Sequence, residues 1–125
     1  MPQNNVRLLV VEDDLDGQVV MAPILQHQHV QFDIAGIATE AERLLFASPS
    51  SYDGMIIDLA LPDKNGWELL RGIRENNATV SIPCIAVTAY HNSKMREDTL
   101  NAGFDAYFSK PLDATAFGRA LQSLL

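Results

Sequence analysis

The chain contains five short, mostly apolar runs that are spaced along its whole length. Residues 8–11 of the first run are Leu, Leu, Val and Val, with no polar residue between them. Continuous apolar runs of this kind are typical of strands that a parallel sheet buries on both faces. The pattern therefore predicts five strands, at residues 7–11, 32–37, 55–58, 83–87 and 106–108.

Segments with a helical spacing of apolar residues lie between these runs. Phe117, Ala120, Leu121 and Leu124 follow one another at the i, i+3, i+4 and i+7 positions of one helix face. Further helices are predicted at residues 15–27, from residue 39 onward, at 66–76 and at 93–102. Thr39 and Glu42 have the spacing of a capping box, which would begin the second helix at Thr39.

Strict alternation of strands and helices predicts right-handed crossovers and a parallel sheet that is covered by helices on both faces. Ligand sites in such α/β sheets lie at the carboxyl ends of the strands. Polar and charged residues follow or end four of the predicted strands, and we expect them to converge: Glu12, Asp13, Asp58, Thr88 and Lys110.

Several carboxylates in one crevice repel each other, so they either take up protons or bind a cation. Oxygen ligands of this kind suit a hard divalent ion, Mg²⁺ above all. Lys110 adds a positive charge and Thr88 adds a hydroxyl, which together suit a phosphoryl group beside a carboxylate. Asp58 is then the predicted nucleophile, and transfer to it would give an acyl phosphate.

Composition and charge exclude several classes of protein. A chain of 125 residues that is 47% hydrophobic suits one globular domain without disulfide staples, and it has a single cysteine, Cys84. The net charge of −7 argues against direct nucleic-acid binding by this chain. No apolar run is long enough for a membrane span, and residues 1–5 do not resemble a signal peptide. We therefore expect a cytoplasmic location.

Four motifs then stand at the ends of the expected strands. They are Val-Val-Glu-Asp-Asp at 10–14, Asp-Leu-Ala-Leu-Pro-Asp-Lys-Asn-Gly at 58–66, Val-Thr-Ala at 87–89 and Tyr-Phe-Ser-Lys-Pro at 107–111. In this order they resemble the receiver domains of two-component response regulators, including the single-domain chemotaxis type. The resemblance extends over essentially the whole chain. It implies one receiver domain over residues 1–125 with a flavodoxin-like (βα)5 fold, a doubly wound five-stranded parallel sheet of order 2-1-3-4-5.

The resemblance also implies a role for each matching residue of the site. Asp58 matches the phosphoacceptor, and Glu12 and Asp13 match the acidic pair, with Asp13 as the direct metal ligand. Ala60 matches the position that lends its backbone carbonyl to Mg²⁺. Lys110 matches the site lysine, and a cis bond before Pro111 is implied.

Further implied roles concern switching and partners. Thr88 matches the switch hydroxyl and Tyr107 the aromatic rotamer switch, whereas Ala60 and Tyr90 match positions that modulate dephosphorylation. A histidine kinase or a histidine phosphotransfer protein would supply the phosphoryl group. The surface of the fourth helix, fifth strand and fifth helix would serve an output domain or a homodimer. Such a domain is not an enzyme, although it assists its own phosphotransfer and dephosphorylation.

Three other functions fit parts of the pattern. An aspartate-nucleophile phosphatase of the haloacid dehalogenase type would have a second acid two residues after Asp58, where Ala60 stands. A flavin-binding domain would have a Ser, Thr and Gly-rich loop after the first strand, where Glu-Asp-Asp stands. The alternative is a pseudo-receiver, which binds partners without phosphorylation. A phosphorylation assay distinguishes it from a receiver.

Overall fold

In the computed structural model, which describes residues 6–125, strands and helices alternate along the chain. The strands are β1 (Arg7–Val11), β2 (Gln31–Ala35), β3 (Gly54–Asp58), β4 (Cys84–Thr88) and β5 (Ala106–Ser109). The helices are α1 (Leu15–His27), α2 (Ala38–Ala47), α3 (Gly66–Glu75), α4 (Ser93–Asn101) and α5 (Ala114–Leu124). A short 3-10 helix at Pro49–Ser51 precedes β3. Residues 1–5, which bear on the signal-peptide expectation, lie outside the described residues.

All four strand pairings are parallel, and the strand order is β2-β1-β3-β4-β5. The chain leaves β1 for β2 on one side and returns to place β3 on the other side. A crevice opens where connections diverge in this way, at the carboxyl ends of the strands. The predicted α/β flavodoxin-like fold and its strand order are therefore confirmed.

Alternate residues of each strand enter two separate cores. Leu9 and Val11 face the core that α2 and α3 cover, together with Met55 and Ile57. Leu8 and Val10 face the other core, which α1 and α5 cover. Every residue of β3 and β4 is buried, so Asp58 and Thr88 stand at the ends of two fully buried strands. Across residues 6–125, none of the helices has the length and apolar character needed to cross a membrane.

The second strand differs from the prediction of residues 32–37, because β2 spans Gln31–Ala35. The register explains the shift, since β2 pairs with β1 from Arg7 and Gln31 to Val11 and Ala35. One further hydrogen bond, from the Glu12 N–H to the Ala35 carbonyl, closes the ladder at 3.0 Å. Apolar character alone extended the prediction to Ile37, which is 40% exposed.

The predicted capping box at Thr39 is wrong. Helix α2 begins at Ala38, and the residue before it, Ile37, makes no side-chain cap. The cap comes instead from Asp63, whose carboxylate accepts hydrogen bonds from the N–H groups of Ala38 (2.9 Å) and Thr39 (2.8 Å). The Thr39 hydroxyl donates to the same carboxylate at 2.5 Å. A residue 25 positions away therefore satisfies the helix terminus that the local motif was expected to satisfy.

The bounds predicted for the other strands and for α1, α3 and α4 agree with the structure to within one residue at each end. Gly103, predicted to follow the fourth helix as its cap, has a φ of 117°, which a residue with a side chain rarely adopts. The Lys110–Pro111 bond is cis, as the resemblance implied.

Candidate functional site

The ends of four strands bring the predicted site residues to one edge of the sheet. Glu12 and Asp13 follow β1, Asp58 ends β3 and Thr88 ends β4. Three of these residues are buried, with exposed fractions of the whole residue of 1% for Glu12, 5% for Asp58 and 1% for Thr88. Asp13 is exposed, so this acid faces the solvent from the same crevice.

Lys110, which follows β5, joins the two buried carboxylates. Its Nζ atom lies 2.6 Å from Glu12 Oε1 and 2.9 Å from Asp58 Oδ2. The backbone supports this position, because the Lys110 N–H donates to the Thr88 carbonyl at 2.8 Å. Strand β5, which pairs with β4, therefore positions the Lys110 ammonium between the ends of β1 and β3.

Three carboxylates meet at this point. Glu12, Asp13 and Asp58 each offer one oxygen, and these oxygens all lie within 4.8 Å of one another. One lysine ammonium does not balance three carboxylates, so the cluster carries a net negative charge when all are ionised. An all-oxygen donor set with excess negative charge fits a hard divalent cation such as Mg²⁺.

Burial and the crowding of charge change the proton affinity of the cluster. Burial, together with the nearby Asp58 carboxyl, raises the pKa of Glu12 to about 7, although Lys110 opposes the shift. Burial by itself lowers the pKa of Lys110, but the hydrogen bonds to Glu12 and Asp58 outweigh it and raise that pKa. The lysine is therefore held in its charged form.

Local backbone hydrogen bonds orient Asp58 and Thr88. The Ala60 N–H donates to Asp58 Oδ1 at 2.9 Å, which leaves Asp58 Oδ2 toward Lys110. The Tyr90 N–H donates to Thr88 Oγ1 at 3.0 Å. Because the Thr88 oxygen accepts this bond, its own hydrogen is available to donate elsewhere.

The two tyrosines occupy different environments. Tyr107 is buried in the core under α2 and α3, and its hydroxyl lies 3.0 Å from His91 Nδ1. A rotamer change of Tyr107, as the resemblance implies, would therefore start from a side chain that is already buried. Tyr90 is 70% exposed, which agrees with a side chain that points into solvent. A role in modulating dephosphorylation stays a prediction for Tyr90.

Sequence reasoning missed some residues around the site. Gln18 donates from Nε2 to the Glu12 carbonyl at 2.7 Å and braces the turn between β1 and α1. Gln18 is only six positions from Glu12 in the sequence, but this spacing alone does not indicate a hydrogen bond between them. His91 had no local signal, because its partner Tyr107 is 16 positions away.

The family model of the response regulator receiver domain matches residues 8–122. The chain belongs to this family. The match begins inside β1 and ends inside α5, so it includes residues of all five strands and every site residue described above.

Known relatives agree with this membership. The chain is 32% identical to an uncharacterized 14.6 kDa protein of Leptolyngbya boryana, covering 92% of this chain and 86% of that protein. It is 34% identical to the transcriptional regulatory protein PmrA of Pectobacterium parmentieri, over 96% of this chain and 52% of PmrA. The chain thus spans about half of that regulator.

A solved structure of a receiver domain has the same fold as this chain. The receiver domain of a sensor histidine kinase from Pseudomonas aeruginosa PAO1 superposes with a TM-score of 0.85 and 28% sequence identity. The superposition covers 95% of this chain and 96% of that domain, which has a magnesium ion coordinated in its active-site cleft. As a receiver domain of two-component systems, the chain is a signalling domain.

Proposed function

We propose that Asp58 accepts a phosphoryl group from a histidine kinase or a histidine phosphotransfer protein in a Mg²⁺-dependent reaction. The observation that carries this proposal is the buried Asp58 carboxylate at the end of β3, hydrogen-bonded to Lys110 and grouped with Glu12 and Asp13. A nucleophile held beside a fixed cation suits phosphoryl transfer, in which positioning and charge stabilisation supply most of the catalysis.

The residues of the chain have distinct parts in this reaction. An oxygen of Asp58 attacks phosphorus, and the bond from phosphorus to the donor histidine nitrogen breaks, so the imidazole leaves with the electron pair. Lys110 stabilises negative charge on the phosphoryl oxygens, and the free hydrogen of Thr88 donates to one of them. Glu12, Asp13, Asp58 and the Ala60 carbonyl would hold Mg²⁺, which neutralises charge on the same oxygens when bound.

The phosphoryl donor would dock beside α1. Leu15, Val19 and Val20 of this helix are exposed by 72%, 70% and 52%, an unusual apolar face for a helix surface. A cavity of about 180 Å³ adjoins it, lined by Val20, Leu112, Glu12 and Lys110 among others. Because this apolar surface continues into the acidic site, a donor helix seated there would present its phosphohistidine to Asp58. A phosphohistidine-bearing helix of the donor, whether histidine kinase or histidine phosphotransfer protein, is therefore the occupant that we propose.

The signal would leave through the α4-β5-α5 surface. Thr88 would move toward the phosphoryl group, and Tyr107 and α4 would adjust to it, which changes the surface for an output domain or a homodimer. We extend the proposal to residues 1–125 as one receiver domain in the cytoplasm.

Phosphorylation by a small donor tests the central step. After incubation with acetyl phosphate and Mg²⁺, intact-mass measurement should show one added phosphoryl group that hydroxylamine removes. The Asp58→Asn variant should show none. The matched Asp98→Asn variant, which changes an aspartate of the Lys94–Asp98 pair on α4, should be modified as the parent is. A parent that stays unmodified would favour the pseudo-receiver.

A further inference from the structure

Gly17 lies in the first turn of α1, directly against the side chain of Glu12. A Cβ atom at position 17 would lie 2.5 Å from Glu12 Oε1, 2.7 Å from Glu12 Cδ and 3.1 Å from Glu12 Cγ. Non-bonded heavy atoms are comfortable at about 3.5–4.0 Å. Any residue larger than glycine at this position therefore displaces the Glu12 side chain or is itself displaced.

Glu12 cannot move without losing contacts. Its Oε1 atom is 2.6 Å from Lys110 Nζ, and its Oε2 atom accepts a hydrogen bond from the Asp14 N–H at 3.3 Å. Its backbone is held as well, since its carbonyl accepts from Gln18 Nε2 at 2.7 Å. The carboxylate thus fills the space that the missing side chain of Gly17 leaves.

The helical conformation of α1 does not require glycine at position 17. Within a helix, glycine is about 1 kcal/mol less favourable than alanine. Gly17 has an ordinary helical backbone in α1, with no positive φ that would call for glycine. The close approach of Glu12 is thus the feature of the structure that requires the absence of a side chain.

We propose that Gly17 is a positioning residue of the acidic site. Because it has no side chain, it leaves the space in which Glu12 lies against Lys110 and beside Asp13 and Asp58. The consequence for Mg²⁺ rests on the function proposed above. A larger residue at position 17 would push the Glu12 carboxylate away from Lys110 and out of the cluster. The metal affinity would fall although the three carboxylates are all still present.

A Gly17→Ala variant should still fold, so its effect on the site can be measured. The cavity of about 180 Å³ beside Glu12 and Lys110 offers the displaced carboxylate a place. Alanine is also the better helix former.

A double-mutant cycle tests the proposal with the parent, Gly17→Ala, Glu12→Ala and the double variant. Two quantities are measured, the NMR signals of the Lys110 side chain in metal-free protein and the Mg²⁺ affinity by calorimetric titration. Gly17→Ala should shift the Lys110 signals and weaken Mg²⁺ binding on the order of tenfold. In the Glu12→Ala background it should do neither, because the three contacted atoms are gone.

Gly72→Ala is the matched control, since a Cβ on this α3 glycine would meet its nearest neighbour, Glu42 Oε2, at an ordinary 3.8 Å. It should change neither quantity. The proposal is overturned if Gly17→Ala leaves the Lys110 signals unchanged, or if it shifts them equally in both backgrounds. A parent that binds no Mg²⁺ would contradict the proposed function, while the metal-free Lys110 signals would still decide the role of Gly17.

Discussion

Lys110 forms ion pairs with two buried carboxylates of the site. Its ammonium contacts both Glu12 (2.6 Å) and Asp58 (2.9 Å), whose side chains are only 2% and 7% exposed. Removing one partner of a buried ion pair leaves an uncompensated charge, which costs more than the pair contributes. We therefore expect the stability of the unliganded domain and the proposed reactivity of Asp58 to depend on the same lysine.

The Lys110→Met variant, which keeps most of the side-chain volume, should lower the free energy of unfolding at pH 7 by about 2 kcal/mol. Urea denaturation measures this change. It should also slow phosphorylation by acetyl phosphate, because the phosphoryl oxygens lose a fixed cation. The Lys94→Met variant breaks the exposed Lys94–Asp98 pair instead and should cost less than about 0.5 kcal/mol. Equal losses in the two variants would contradict the role given to Lys110.

At the scale of elements, the segment after Asp58 is tied to helix α2 at two points. Asp63 accepts three hydrogen bonds from Ala38 and Thr39, and Lys64 Nζ lies 3.0 Å from Glu42 Oε2. These contacts hold the loop between β3 and α3, which includes the Ala60 carbonyl proposed as a metal ligand. The contacts of this loop therefore stabilise both the start of helix α2 and the backbone beside Asp58.

The hydrogen bonds from Thr39 and Ala38 lower the pKa of Asp63 below its usual value. A carboxyl with a lowered folded pKa stabilises the native state above its unfolded pKa and loses that effect as pH falls toward the folded value. Asp63→Ala should therefore lower the urea midpoint at pH 7, and the difference from the parent should shrink below about pH 4. Thr39→Val, which removes one of the three donors, should have a smaller effect. A difference that stays constant between neutral and acidic pH would contradict this prediction.

Helix α4 buries fewer of its residues than helix α3 does. Thr99 is its buried residue, whereas α3 buries Gly66, Leu69, Leu70 and Ile73. Thr99 is also tied to α3, since its hydroxyl oxygen accepts a hydrogen bond from Trp67 Nε1 at 3.2 Å. A helix with few buried apolar side chains opens and shifts more easily than its neighbours.

We therefore expect a change of amide hydrogen exchange in α4 and β5 when beryllofluoride, a phosphoryl mimic, is added with Mg²⁺. Exchange in α2 should change less, because the Asp63 cap holds that helix. The comparison is made by mass spectrometry on the parent and on Asp58→Asn, which should not respond. Identical protection of α4 with and without the mimic would count against the proposed α4-β5-α5 surface.

At the scale of the whole molecule, the acidic site joins distant parts of the chain. The Lys110–Glu12 contact links residues 98 positions apart, and the Lys110–Asp58 contact links residues 52 positions apart. In the unfolded chain these groups are dispersed. A cation that binds the cluster therefore stabilises the native fold as a whole.

Mg²⁺ at ten times its dissociation constant should add about 1.4 kcal/mol to the free energy of unfolding of the parent. The Asp13→Asn variant should bind Mg²⁺ more weakly and gain less at the same concentration. Thermal unfolding with and without Mg²⁺ measures both effects, and Asp16→Asn, an exposed acid of α1, serves as the control. If Asp13→Asn has the same Mg²⁺ affinity as the parent, the assignment of Asp13 as a ligand is wrong.

The sequence by itself determined the number of strands and α-helices and the edge of the sheet where the site lies. Continuous apolar runs ended by Glu12, Asp58 and Thr88 indicate buried parallel strands, and parallel strands present their carboxyl ends together. The family motifs added the expected strand order and residue roles. These features depend on local pattern and connectivity, which a sequence displays directly.

Tertiary structure decided what depends on contacts between distant segments. The register with β1 ended β2 at Ala35, and Asp63 capped α2 in place of the predicted box at Thr39. The space for Glu12 at Gly17 and the partner of Tyr107, His91, follow from how elements pack. Folding places groups from distant parts of the chain beside a free hydrogen-bond donor or an open volume. The sequence around that donor or volume does not indicate which group this will be.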